Sequence, residues 1–72
     1  MRLTVIDRIK LEFNSYVETT GQDPTELIIS EAKYKELCRM MSAEAVKYFN
    51  IGKVNLKVNI TYEENCIYVC GI

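Results

Sequence analysis

Near the start of the chain apolar residues recur at helical spacing. Ile6, Ile9, Phe13, Tyr16 and Val17 form one stripe, while Arg8, Lys10, Glu12 and Glu18 fall outside it. This pattern predicts an amphipathic helix of about four turns. Thr4 can cap it, with Asp7 three residues on as the acidic member of a capping box. Gly21 sits where a helix end favours a left-handed residue. The "QDP" that follows turns the chain, and Pro24 prevents the helix from resuming.

The period then changes. Leu27, Ile28 and Ile29 are consecutive and flanked by turn residues, which suits a short strand covered on both faces or a strand beginning under a helix. Ser30 ends it and can cap a second helix, in which Glu31 lies in the first turn and Tyr34, Leu37, Cys38 and Met41 share one face. Residues 42–49 read either as that helix continuing through a kink or fray, the favoured reading, or as a short separate turn capped by Ser42. Asn50 and Gly52 mark the end in both cases. The clearest alternation comes next, with Leu56, Val58, Ile60 and Tyr62 against Lys57, Asn59 and Thr61, and it predicts a strand with one core face and one wet face.

"EEN" reads as a hairpin connection with Asn65 in the left-handed position. It leads into a last strand over residues 66–72 that is apolar on both faces. A three-residue loop pairs Val58 with Cys70 and Ile60 with Tyr68, and sends Cys66, Tyr68 and Cys70 into the core. A two-residue turn at Glu64 and Asn65 buries Ile67 and Val69 instead, because a slip of one residue exchanges the faces. The pattern leaves both registers open.

The elements therefore run α-β-α-β-β in a single small α+β domain spanning residues 1–72. A right-handed crossover makes the first two strands parallel. The doubly apolar last strand is expected in the middle, giving a three-stranded mixed sheet of order 1-3-2 with both helices on one face. Either register leaves apolar side chains on the outer face, and such a patch marks a partner surface. Asn59, Thr61, Ile67 and Val69 are the candidate interface residues.

Composition narrows the function classes. With 49% hydrophobic and 26% charged residues among 72, the chain is that of a folded protein close to the lower size limit for one core. A net charge of −1 disfavours nucleic acid, which requires gathered Lys and Arg. Lys47, Lys53 and Lys57, with the tyrosines, come nearest to a basic patch. No apolar run approaches the ~20 residues of a membrane span, and charges interrupt the N-terminus where a signal peptide is continuously apolar. A cytoplasmic protein is expected. Cys66 and Cys70 would lie about 13 Å apart on a strand, too far for a disulfide, so all three cysteines are expected as free thiols.

The chain contains no histidine, the commonest general base and metal ligand. A nucleophilic Ser or Cys needs a base beside it, and the available carboxylates and lysines are scattered over outer faces. Structural zinc takes four ligands, and the spacing of Cys66 and Cys70 is not that of a knuckle. Gly21, Gly52 and Gly71 are isolated, with no phosphate-cradling loop. The expectation is no catalytic residue, no cofactor and no metal.

Taken together, the helix ending in "Y-x-x-x-x-G-x-x-P", the apolar "L-I-I-S" strand, the "Y-x-x-L" helix and the late "G-K-V" strand resemble small α/β proteins encoded by tailed phages and prophages of Gram-positive bacteria. Leu27 to Ser30, Tyr34, Leu37, Gly52, Val54 and Gly71 carry the likeness, which is also similar to a segment of phage major capsid proteins over about fifty residues. It implies a small phage accessory protein in the host cytoplasm and transfers no catalytic or binding residue. The function expected is a non-enzymatic interaction protein that binds a protein partner or a second copy, as a homo-oligomer, through the outer sheet face or an edge strand. The alternatives are a nucleic-acid-binding regulator using Lys47, Lys53, Lys57 and the tyrosines, and a small inhibitor of a host enzyme.

Overall fold

In the computed structural model, which describes residues 3–71, the first helix, α1, spans Val5–Thr20. Its ends follow the capping chemistry expected of the sequence. The Asp7 N–H donates to Thr4 Oγ1 and the Thr4 N–H donates to Asp7 Oδ2, both at 3.1 Å. Gly21, at φ 71°, is the left-handed cap, and its N–H donates to the Val17 carbonyl at 2.8 Å. Pro24 is fully buried and turns the chain into β1, Glu26–Ser30.

The second helix, α2, occupies Glu31–Met40 and ends earlier than the pattern suggested. Ser42 adopts φ 53°, a left-handed conformation that an L-residue in a helix does not hold, so residues 42–49 neither continue α2 nor start a new turn of helix. Tyr48–Ile51 instead form a strand, β2, paired antiparallel with β3, Val54–Thr61. The turn between them is Gly52 and Lys53. Gly52 has φ 59° and Lys53 is not in the positive range, the pattern of a II′ turn with glycine first. The last strand, β4, is Ile67–Cys70; Ile72, at the end of the expected strand, lies outside the described residues.

The result is an α+β fold with a four-stranded mixed sheet of order β2-β3-β1-β4. Two expectations are corrected. The sheet has four strands rather than three, because "YFNI" is strand. The strand at the centre of the former trio is β1, not the last one: β1 pairs parallel with β3 and antiparallel with β4. Residues 62–66 are consequently no hairpin. They cross the end of β1, where the Ser30 N–H donates to the Cys66 carbonyl at 2.8 Å, and the pairing of Val58 with Cys70 and Ile60 with Tyr68 does not form. Asn65 does take the left-handed position, at φ 53°.

The register sets the faces. Leu27 lies beside Val58 and Val69, and Ile29 beside Ile60 and Ile67. Phe49 and Ile51 join them opposite Leu56 and Val54. Val5 and Ile9 of α1 and Leu37 and Cys38 of α2 complete one core on this side. Leu27, Ile29, Leu37, Leu56 and Ile9 are sealed from solvent, each removing on the order of 2 kcal/mol of apolar exposure. The helices leave the opposite face of the sheet bare, in agreement with the expected two helices on one side.

Candidate functional site

The expected interface is split by the sheet. Asn59 and Thr61 do lie on the bare face, but Ile67 and Val69 are core, at 5% and 8% exposure, under α1. The faces follow the alternative register, with Ile67 and Val69 inward and Tyr68 outward between the half-buried Cys66 and Cys70. Ile67 and Val69 are therefore withdrawn as surface residues. What remains on the bare face is more polar than expected: Asn59, Ile28 and Tyr68 form one cross-strand row, and Tyr48, Lys57, Glu26 and Cys70 another.

The thiols on this face are not activated. Cys70 Sγ donates to Glu26 Oε2 at 3.8 Å. Burial pushes its pKa above the ordinary thiol value, and the Glu26 carboxylate adds to the rise. Cys66 is raised in the same way, by burial first and then by Glu63. The Tyr68 hydroxyl is also raised, first by desolvation and then by the neighbouring Cys66 and Glu63. A nucleophilic cysteine needs the opposite shift. All three cysteines are free thiols, and among the described residues no three His, Cys, Asp or Glu side chains gather as a metal site would require.

Exposed apolar surface appears elsewhere, at the far end of β3. The apolar set of β3 runs on past the shelter of α2. Leu56 is sealed and Val58 half-buried, but Ile60 is 50% exposed and Tyr62 97% exposed. Together with Tyr34 and Cys38 of α2 they line an open groove of about 870 Å³, whose rim carries Glu31, Lys35, Arg39 and Glu44. The Tyr34 hydroxyl accepts from the Val46 N–H at 2.9 Å, which pins the α2–β2 connection at one end of this groove.

The backbone beside the groove is an open edge. The Lys57 N–H donates inward to the Thr25 carbonyl at 3.0 Å, and the next N–H, that of Val58, donates outward to the Lys47 carbonyl at 2.9 Å. Successive strand residues alternate in direction, so the Ile60 N–H faces the same way as that of Val58. At that level β2 has ended, since its pairing begins at Tyr48 opposite Lys57. Among the described residues, Ile60 therefore presents an unpaired hydrogen-bonding position next to apolar side chains.

The edge and the groove were missed in the sequence because exposure at Ile60 and Tyr62 depends on which strand α2 covers and how it stands off from the end of β3. The strand "YFNI" did carry a signal: Phe49 and Ile51 alternate with Tyr48 and Asn50, and a Gly-Lys pair separates them from a second alternating run. Among the described residues no helix is long and apolar enough to cross a membrane. Comparison with known proteins finds no matching family model, no matching curated protein and no matching solved structure.

Proposed function

We propose that this is a non-enzymatic interaction protein that docks an extended segment of a protein partner along the outer edge of β3. The observation that carries the reading is the coincidence, at Ile60 and Tyr62, of an open strand edge with exposed apolar side chains. An added strand gains main-chain hydrogen bonds from the edge and places alternate side chains in the groove beside Tyr34 and Cys38. Unprotected edges of this kind are ordinarily blunted in monomeric proteins by charge, proline or a covering loop, and the "NITY" segment has none of the first two. A second copy of the chain can supply such a segment as well as a foreign protein can, and a twofold pair is the commonest arrangement. A place among phage or prophage accessory proteins belongs to this reading and rests on the resemblance of the sequence.

A photo-crosslinking residue placed at position 62, compared with one at position 12 on α1, tests the docking. The expected result is a polypeptide adduct of defined mass from position 62 alone, lost when Ile60→Pro removes the edge N–H. Equal adducts from both positions, or an adduct that survives Ile60→Pro in a folded protein, would sink the reading.

A further inference from the structure

The charges of this chain are segregated in a way its net charge conceals. Residues 45–62 hold three of the nine basic residues, Lys47, Lys53 and Lys57, and none of the ten acidic ones. The fold turns that stretch into one object, the β2–β3 ribbon, with Lys53 in its exposed turn, Lys57 beside Tyr48 across the pair, and Lys47 next to Tyr48 in sequence. All three lysines are exposed. Among the described residues the ion pairs are Lys35–Glu31 and Lys33–Glu36, both within α2, so neither engages the ribbon.

The ribbon's own side chains on the bare face can all hydrogen-bond. Asn50 pairs with Asn55 across the ribbon, Tyr48 lies 56% exposed beside Lys57, and Asn59 follows on β3. Tyr68 presents a second exposed ring, two strands away from Asn59 across Ile28. Glu26 is the acidic member of the sheet's bare face. It sits on β1 beside Lys57 and is held by the Cys70 thiol, which confines the positive surface to the ribbon itself. Glu44, Glu63 and Glu64 belong to the loops that flank it.

We infer that the β2–β3 ribbon binds single-stranded nucleic acid, with Lys53 and Lys57 on phosphates along the bare face, Lys47 reaching the strand from the outer edge just before β2, where its carbonyl accepts from the Val58 N–H, and Tyr48 as a stacking platform. Lys53 and Lys57 are four strand residues, or about 13 Å, apart, a span that covers about two nucleotides of an extended strand. A ribbon carrying lysines, amides and an exposed ring has the chemistry that tracks a phosphate backbone and stacks bases without reading their sequence. This surface adjoins the edge at Ile60, with Lys47, Tyr48 and Lys57 lining a shallow pocket beside it, but it uses charge and stacking rather than an added strand, so Ile60→Pro, which removes the docking edge, should leave it intact.

Fluorescence anisotropy of a labelled twenty-nucleotide oligothymidine, titrated with the intact chain at rising salt, tests it. Saturable binding is expected at low salt, falling with a slope of about −2 in log K against log salt, from three phosphate contacts at roughly 0.7 each. Lys47→Glu with Lys57→Glu is expected to weaken binding at least tenfold. Lys53→Glu, in the turn, should weaken it severalfold with the sheet undisturbed. Lys10→Glu with Lys33→Glu, an equal charge change on the helices, should leave it within twofold. The inference is overturned by absence of saturable binding at low salt, by equal losses from the helix and ribbon variants, or by a duplex of the same length binding as tightly as the single strand.

Discussion

β3 and β4 flank the same central strand, and each carries apolar side chains on the face toward the helices, yet they end in opposite situations. Ile29 touches Ile67 on one side and Ile60 on the other. Ile67 is buried to 5% exposure beneath α1, whereas Ile60 remains half in water. The difference lies above the sheet. α1 lies over β4, while α2, which starts level with Thr61, stands off from Ile60 and leaves an open groove between them. A strand's own alternation determines which side chains share a face, and the helix layer determines which of them are core. Two isoleucines with the same neighbour can therefore be a structural residue and a surface residue.

The largest effect that can break this comparison is a charge placed on either side of Ile29. Ile67→Asp puts an unpaired carboxylate into the core and should prevent folding, while Ile60→Asp should give a folded chain with an unchanged far-ultraviolet spectrum. Folding of both, or of neither, would contradict the assignment of core and edge. The milder pair sharpens it. Ile67→Ala should cost about 2–5 kcal/mol in urea unfolding, within the range for a buried aliphatic truncation, and Ile60→Ala less than about 1 kcal/mol, as for surface changes.

The next effect separates the β2–β3 turn from the crossing loop. Gly52→Ala forces a Cβ into a left-handed conformation, with no neighbouring atom within 4 Å to clash. The cost is therefore purely one of backbone conformation, about 1 kcal/mol. Asn65 holds nearly the same φ in the β3–β4 connection without being glycine, so Asn65→Gly should be neutral or slightly stabilising in the same denaturant titration.

Much of this contrast was legible in the sequence, and the part that was not has a definite physical cause. The caps at Thr4, Asp7 and Gly21, the turn at Pro24 and the strand at Leu27 to Ile29 are local chemistry, and they appear where the residues place them. The alternation of β3 gave its faces correctly. Strand order was not local: the rule that a doubly apolar strand takes the centre fits "LII" of β1 as well as "IYVC" of β4. The outer face of β4 is Tyr68 with Cys66 and Cys70, side chains that tolerate half-exposure, so β4 can stand at an edge. β2 was hidden because "SAEAVKYFN" has helix formers ahead of its alternating part. The candidate interface inherited this error through Ile67 and Val69, while Asn59 and Thr61 kept their face.

The first turn of α1 and the bare face near β4 also differ in how they respond to pH, in opposite directions. The Thr4 backbone N–H, and then its hydroxyl, hold the Asp7 carboxyl below its ordinary pKa. A depressed carboxyl contributes stability that is complete above its unfolded pKa and is lost as pH falls through the folded value. Thr4→Ala, which removes one half of the capping box, should cost about 1 kcal/mol at neutral pH and reduce the acid dependence that Asp7 supplies. Cys66 and Cys70 have raised values, so their contribution is complete below the ordinary thiol pKa and is lost as pH rises through the higher folded values. Urea midpoints measured from acid to alkaline pH should therefore fall at both ends. Asp7→Asn should flatten the acid limb alone, and Cys70→Ser with Cys66→Ser should reduce the alkaline limb alone, to which the raised Tyr68 hydroxyl also contributes. An alkaline limb unchanged by the double serine variant would show that the thiols titrate as they do in the unfolded chain, and that the bare face around β4 is wetter than its half-buried cysteines imply.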